Sequence, residues 1–241
     1  MGLQGQRAWI TGGGSGIGAA AARALAQAGA EVVISGRRAG PLQSMAEDIG
    51  GHALPLDLSD AAAVRDAAQT LGSVDILVAS AGINVPKRSL EALEPQDWAT
   101  VVDINLNGVF HAVHAVLPGM RAKGGGLCIL VSSWAGKYVS RLTGAAYTAS
   151  KHAVVALSET INAEEGGHGI RSTVILPGEV ATDILKARPA PPSEQEMSRM
   201  LMPEDLGATV RFVAEMPPRA CLNEILISPT WNRFYQGFDE L

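Results

Sequence analysis

The sequence predicts an α/β fold: a doubly wound parallel sheet with helices on both faces, a three-layer α/β/α domain spanning residues 1–241. Three observations lead there. Short apolar runs alternate with helical patterns along the chain, the order that buries a parallel sheet between two helical layers. The first of these runs passes directly into a glycine-rich turn and an alanine-rich helix. No Ser/Gly linker, long charge run or internal repeat divides the chain.

The elements follow in order. RAWI from Arg7 is a short strand that ends in Thr11, and TGGGSGIG turns the chain into the helix AAAARALAQAGA. The later strands read EVVIS from Glu31, HALPL from His52, VDILVAS from Val74, LCILVSS from Leu127, IRSTVIL from Ile170 and EILIS from Glu224. Each is an apolar run of a length suited to a strand buried on both faces. Helical patterns fill residues 41–49, 59–70, 97–122, 145–165 and 204–214. Asn105 interrupts the long helix in DINLNG, where it is either a mild local defect or the mark of a bulge.

Composition bounds the function. The net charge is −5 with no basic stripe to follow a phosphate backbone, which argues against nucleic acid as a partner. No apolar run approaches the ~20 residues of a membrane span, and the first strand begins too early to leave room for a signal peptide. Cys128 and Cys221 lie in or beside apolar runs and are expected to be buried, reduced thiols of a cytoplasmic protein. The five histidines are scattered, and the pair His111 and His114 is expected to pack or face solvent rather than bind a metal.

Ligands of such sheets bind beyond the carboxyl ends of the strands. After the first strand come Gly12, Gly14, Ser15, Gly16, Ile17 and Gly18, a turn that lets the backbone approach a pyrophosphate at a helix N-terminus. After the third come Asp57 and Leu58; the carboxylate is placed either to accept from an adenine amino group or, with Ser59, to cap the next helix. The small residues Ala79, Ser80, Ala81 and Gly82 follow the fourth, and Ser132 and Ser133 the fifth. Pro177, Gly178, Glu179, Val180, Ala181 and Thr182 follow the sixth. Tyr147 precedes Lys151 by one helical turn. A phenol titrates near ~10, and a lysine on the same face favours the phenolate, which makes the tyrosine a usable general acid/base.

Taken together these motifs resemble the short-chain dehydrogenase/reductase (SDR) family. TGGGSGIG matches its T-G-x-x-x-G-x-G turn, and DINLNG, VSSWAG, YTASK and PGEVAT follow in its order, so that the likeness runs from Arg7 to about Pro229. The resemblance implies a Rossmann-type domain, a nicotinamide cofactor, and a catalytic tetrad of Asn105, Ser133, Tyr147 and Lys151; the apolar stretches VFHAVHAV and HAVVALS are expected to face a partner chain, as the resemblance also suggests, in a homotetramer or else a dimer. It implies hydride transfer between the nicotinamide and a carbonyl or secondary alcohol. Tyr147 exchanges the proton, Ser133 fixes the substrate oxygen, Lys151 lowers the Tyr147 pKa and binds the nicotinamide ribose, and Asn105 holds a water linking Lys151 to solvent.

The chain departs from the family pattern in places. The N-N-A-G after the fourth strand is ASAG here, so Ser80 has no amide with which to brace neighbouring strands. Ser133 lies fourteen residues before Tyr147 instead of the usual thirteen, a position Trp134 takes. The tail SPTWNRFYQGFDEL replaces the usual V-D-G-G. Residues 183–202, apolar and broken by Pro189, Pro191 and Pro192, are expected to form a lid over the substrate. Trp134 and Tyr138 are expected either to line the same pocket or to join the core.

The second strand ends in Ser35-Gly36, with Arg37 and Arg38 next. A carboxylate at the position of Gly36 would select NAD by accepting from the ribose hydroxyls; its absence and the two guanidinium groups point to NADP. Two other classes share the fold, a catalytically silent dinucleotide-binding regulator and a lyase or epimerase. The intact tetrad of Asn105, Ser133, Tyr147 and Lys151 argues against the first, and turnover without net change in cofactor absorbance would mark the second.

Overall fold

The computed structural model describes residues 2–188 and 191–232. Seven parallel strands form one sheet in the order β3-β2-β1-β4-β5-β6-β7. They are β1 (Arg7–Thr11), β2 (Glu31–Gly36), β3 (His52–Pro55), β4 (Ile76–Ala79), β5 (Gly126–Val131), β6 (Ile170–Pro177) and β7 (Glu224–Ile227). The order reverses between β1 and β4, which are adjacent in the sheet although two strands separate them in sequence. The segments leaving these two strands therefore part to opposite sides and open a crevice at their carboxyl ends.

Alternation along each strand divides the core in two. Ala8, Ile10, Val32, Ile34, Ile76 and Val78 face one layer, built from α1 (Gly16–Gln27), α2 (Ala39–Ile49) and α8 (Pro203–Ala214). Trp9, Val33, Leu77, Cys128 and Leu130 face the other, built from α3 (Ala61–Leu71), α5 (Gly108–Lys123) and α6 (Ala145–Glu165). Trp9, fully buried, keeps its one polar atom satisfied by donating from Nε1 to Ser35 Oγ at 3.0 Å.

Several expected boundaries shift for local reasons. Residues 97–122 are not one helix: α4 (Pro95–Val102) runs into a π-helical turn, Asp103–Asn107, and then into α5. Asn105 sits inside that turn, so the bulge reading of this residue is the correct one. The helix expected from Ser59 starts at Ala61 because Asp60, not Asp57 or Ser59, accepts from the N–H groups of Ala62 and Ala63. Cys221 is exposed, against expectation, since it lies in the loop before the edge strand β7 instead of within it; Cys128, in β5, is buried. His111 hydrogen-bonds through Nδ1 to the Leu58 carbonyl, and His114 stacks on Phe110.

Residues 183–202 contain a 3₁₀ turn, Asp183–Ala187, and the short helix α7 (Glu194–Met197). Leu185, Met200 and Leu201 are buried, and Val180 pairs with Leu201 in an isolated bridge. Pro189 of the expected lid and the tail beyond Asn232 lie outside the described residues.

Candidate active site

A cavity of about 520 Å³ occupies the crevice above β1 and β4. Its floor is the glycine turn. A Cβ on Gly12 would come within 2.8 Å of the Ala81 backbone, and one on Gly18 within 2.3 Å of the Gly12 carbonyl. Side chains are thus excluded where a pyrophosphate would need the backbone to be bare, at the start of α1. Gly12, Gly14, Ser15, Gly16 and Ile17 line the cavity; Gly18 lies beneath it and holds the turn against the helix.

Beyond β2 and β3 the lining is Gly36, Arg37, Arg38, Asp57 and Leu58. Arg38 Nη2 donates to Ser15 Oγ at 3.2 Å, tying this edge to the glycine turn. Asp57 closes a small turn instead of capping α3. Its Oδ1 accepts from the Ser59 N–H at 3.0 Å and the Ser59 hydroxyl at 2.8 Å, and these bonds hold its carboxyl below the usual range. Ala81, Gly82, Pro177, Gly178, Val180 and Thr182 complete the lining from β4 and β6.

The four expected catalytic residues converge from three elements. Tyr147 and Lys151 stand on one face of α6, with Lys151 Nζ 5.7 Å from the centre of the Tyr147 ring. Lys151 is buried and donates from Nζ to the Val131 carbonyl at 2.9 Å. Desolvation lowers its pKa to about 8. An ammonium has three donors, and a buried one with a single carbonyl acceptor among the described residues is suited to receiving hydroxyl groups from the cavity it lines. The residues present therefore fit a dinucleotide, from bare-backbone turn to buried ammonium.

The two serines after β5 divide by strand alternation. Ser132, buried, donates to the Lys151 carbonyl at 2.8 Å and ties β5 to α6. Ser133 caps the turn that follows, its Oγ accepting from the Ala135 N–H at 3.2 Å, and it lines the cavity with Tyr147, whose pKa it lowers. Trp134 is buried and lines the cavity, while Tyr138 is exposed and stacks on it at 4.7 Å.

Asn105 is fully buried and does not line the cavity. Its Oδ1 accepts from the Ile83 N–H at 2.8 Å, and its Nδ2 donates to the Ile83 carbonyl at 3.0 Å and to Ser150 Oγ at 3.3 Å. The amide that is missing at Ser80 is thus supplied from the π turn, and it fixes the loop after β4.

Burial pushes the Tyr147 pKa up, and Ser133 and the charges of Arg188 and Arg88 pull against that. Lys151 is itself disfavoured as a cation by burial, and its hydrogen bond goes to a carbonyl. Arg88 and Arg188 are the site residues that motif reading missed. Arg88 follows β4 and Arg188 follows β6, so the rule that chemistry gathers after strand ends was the available signal.

A family model described as short chain dehydrogenase matches residues 6–192. Glycine betaine reductase ATRR of Emericella nidulans is 34% identical over 241 residues, which cover 94% of this chain but only 19% of that protein. An uncharacterized oxidoreductase of Staphylococcus haemolyticus is 31% identical over 234 residues, covering 94% of this chain and 98% of that one. Among solved structures, the closed form of a serine dehydrogenase complexed with NADP+ has a TM-score of 0.87 at 28% identity, covering 96% of this chain and 98% of that one.

Proposed function

The chain belongs to the short-chain dehydrogenase/reductase family, and from that premise we propose that it transfers a hydride between NADP(H) and a carbonyl or secondary alcohol, with Tyr147 as general acid/base. The observation that carries this reading is the convergence of Ser133, Tyr147 and Lys151 on the cavity floored by the glycine turn. When bound, the nicotinamide supplies the hydride donor or acceptor.

The chain's own residues do the rest. Ser133 hydrogen-bonds the substrate oxygen and holds it against the Tyr147 hydroxyl. Tyr147 gives its proton to that oxygen in reduction and takes it in oxidation. Lys151 binds the ribose hydroxyls with the donors that Val131 leaves over, and its charge favours the phenolate once those hydroxyls bridge the two side chains. Asn105 acts by position: it anchors Ile83 and with it the wall over Lys151. Leu185 and the turn around it cover the substrate as a lid.

The preference for NADP rests on Gly36, Arg37 and Arg38, which line the cavity where a 2′-phosphate would lie, with no carboxylate at the end of β2. The serine dehydrogenase of similar structure holds NADP+. Cytoplasmic residence is part of the proposal and rests on two free thiols, the state that a reducing compartment maintains.

Tyr147→Phe tests the assignment. Its turnover is expected to fall by roughly 10²-fold or more, with NADP(H) binding and circular dichroism unchanged. Near-normal turnover in this variant removes Tyr147 from the chemistry.

A further inference from the structure

The chain that leaves β6 borders the cavity from its cofactor end to its substrate end. Thr182 comes first, then the 3₁₀ turn Asp183–Ala187, of which Asp183, Ile184 and Leu185 line the cavity. A Cβ on Gly16 would stand 3.2 Å from Thr182 Cγ2, so the segment starts against the glycine turn. Its own bonds are local. The Leu185 N–H donates to the Thr182 carbonyl and the Arg188 N–H to the Leu185 carbonyl, each at 3.1 Å, and Lys186 pairs with Asp183 at 2.6 Å. All of these persist if the turn moves as one body.

One side-chain tie joins the end of this turn to the frame beneath it. Arg188 Nη1 donates to Glu179 Oε1 at 2.6 Å, and the two side chains are 10% and 5% exposed. Both residues line the cavity with Tyr147. Glu179 is itself fixed. Its carbonyl accepts from the Leu201 N–H at 3.0 Å, and the Ala181 N–H donates to the Leu201 carbonyl at 2.8 Å, around the bridge of Val180 with Leu201.

A buried ion pair of this kind is exact in position and modest in net stability, because two charges withdrawn from water lose about as much hydration as their attraction returns. If the turn lifts, water takes up both charges. The pair can therefore hold a closed turn and still release it, as a cavity that must admit a dinucleotide and a substrate requires. Removing one member alone leaves the other charge buried without this counter-charge, which favours the open turn.

Resting on the hydride-transfer reading above, we propose that Glu179 is a positioning residue of the reaction: by holding Arg188 it latches the turn Asp183–Ala187 over the substrate, and release of the pair opens the site for entry and exit.

The test uses the full chain with NADP+ present and limited digestion by trypsin. The Lys186 side chain is 79% exposed, and cleavage after it reports how often the turn opens. Mass spectrometry follows that cut and the cuts elsewhere. Glu179→Gln and Arg188→Met are each expected to speed cleavage after Lys186 by about ten-fold, with other sites unchanged. Arg188→Lys, which keeps the charge without the fork, should fall between. The double variant should be cut there no faster than the single ones, since both remove the same pair. Cleavage after Lys186 at the wild-type rate in both single variants, or a rise at all sites together, overturns the latch. Initial rates of NADPH oxidation with 2,3-butanedione and 4-nitrobenzaldehyde are read separately. In Glu179→Gln the carbonyl KM is expected to rise about five-fold or more while kcat stays within about two-fold. A fall in kcat at unchanged KM would overturn the positioning role. No oxidation of NADPH by the wild type with either carbonyl counts against hydride transfer, and the digestion then decides the latch by itself.

Discussion

Lys151 carries a consequence for stability that its role in the site does not suggest. Its pKa drops from an ordinary 10.5 to about 8 because burial disfavours the ammonium. Below pH 8 the folded and unfolded chains both hold the proton, and the folded state bears a buried charge. Between about 8 and 10.5 the folded chain releases it and the unfolded chain keeps it. Stability attributable to Lys151 therefore rises with pH across that window, by up to roughly 3 kcal/mol at about 1.4 kcal/mol per unit. Urea unfolding of the cofactor-free protein is expected to show the wild type gaining on Lys151→Met between pH 8 and 10.5. A difference that stays flat with pH would contradict the burial of the ammonium.

At the same scale, Gly36 and Arg37 decide the cofactor. Gly36→Asp/Arg37→Ile places a carboxylate where the ribose hydroxyls would lie and removes a guanidinium from the 2′-phosphate. We expect kcat/KM with NADP to fall by about 10²-fold, as for a lost charge-assisted contact and an added repulsion, and kcat/KM with NAD to rise. Wild-type preference for NAD, or unchanged use of NADP by the double variant, would overturn the assignment. Gly36 and Arg37 could be read from the sequence because Gly36 ends β2 and Arg37 follows it directly, with no intervening chain to place.

Among the elements, the turn Trp134–Gly136 is a close-packed joint in the site. A Cβ on Gly136 would stand 2.3 Å from Ser132 Oγ and 2.8 Å from the Lys151 carbonyl. Ser132 and Lys151 are the two groups that join β5 to α6. Gly136→Ala is thus expected to push α6 away from Ser133 and lower kcat at least ~10-fold, since misplacement by about 1 Å can remove that much and more. Circular dichroism should be little changed; an unaltered kcat would show that the joint tolerates the methyl. The interruption at Asn105 could be suspected from the residue type, but the π turn and the Ile83 contacts depend on how α5 and α6 pack, which no local pattern specifies.

For the whole molecule, the question is assembly. Trp98 on α4, Phe110 on α5 and Phe212 on α8 are 40%, 48% and 56% exposed, more than large apolar side chains usually offer to water. We expect light scattering at micromolar concentration to give the mass of a homotetramer, or failing that a dimer, and Phe110→Glu to lower it. A monomer would remove this expectation. Among the described residues no helix is long and apolar enough to cross a membrane.

Periodicity alone located the seven strands and most of the helices, because apolar runs of strand length and helical stripes are properties of neighbouring residues. The glycine turn and the Tyr147–Lys151 spacing were legible for the same reason: each is a few residues that must act together. Long-range placement decided the remainder. The alternation of β5 against α6 separated the roles of Ser132 and Ser133. The edge position of β7 left Cys221 exposed. Arg88 and Arg188 line one cavity with Tyr147 because their loops leave the carboxyl edges of β4 and β6, and no spacing along the chain encodes that placement. Local chemistry is written in contiguous residues, whereas the charge a substrate meets is set by loops that the sheet brings together.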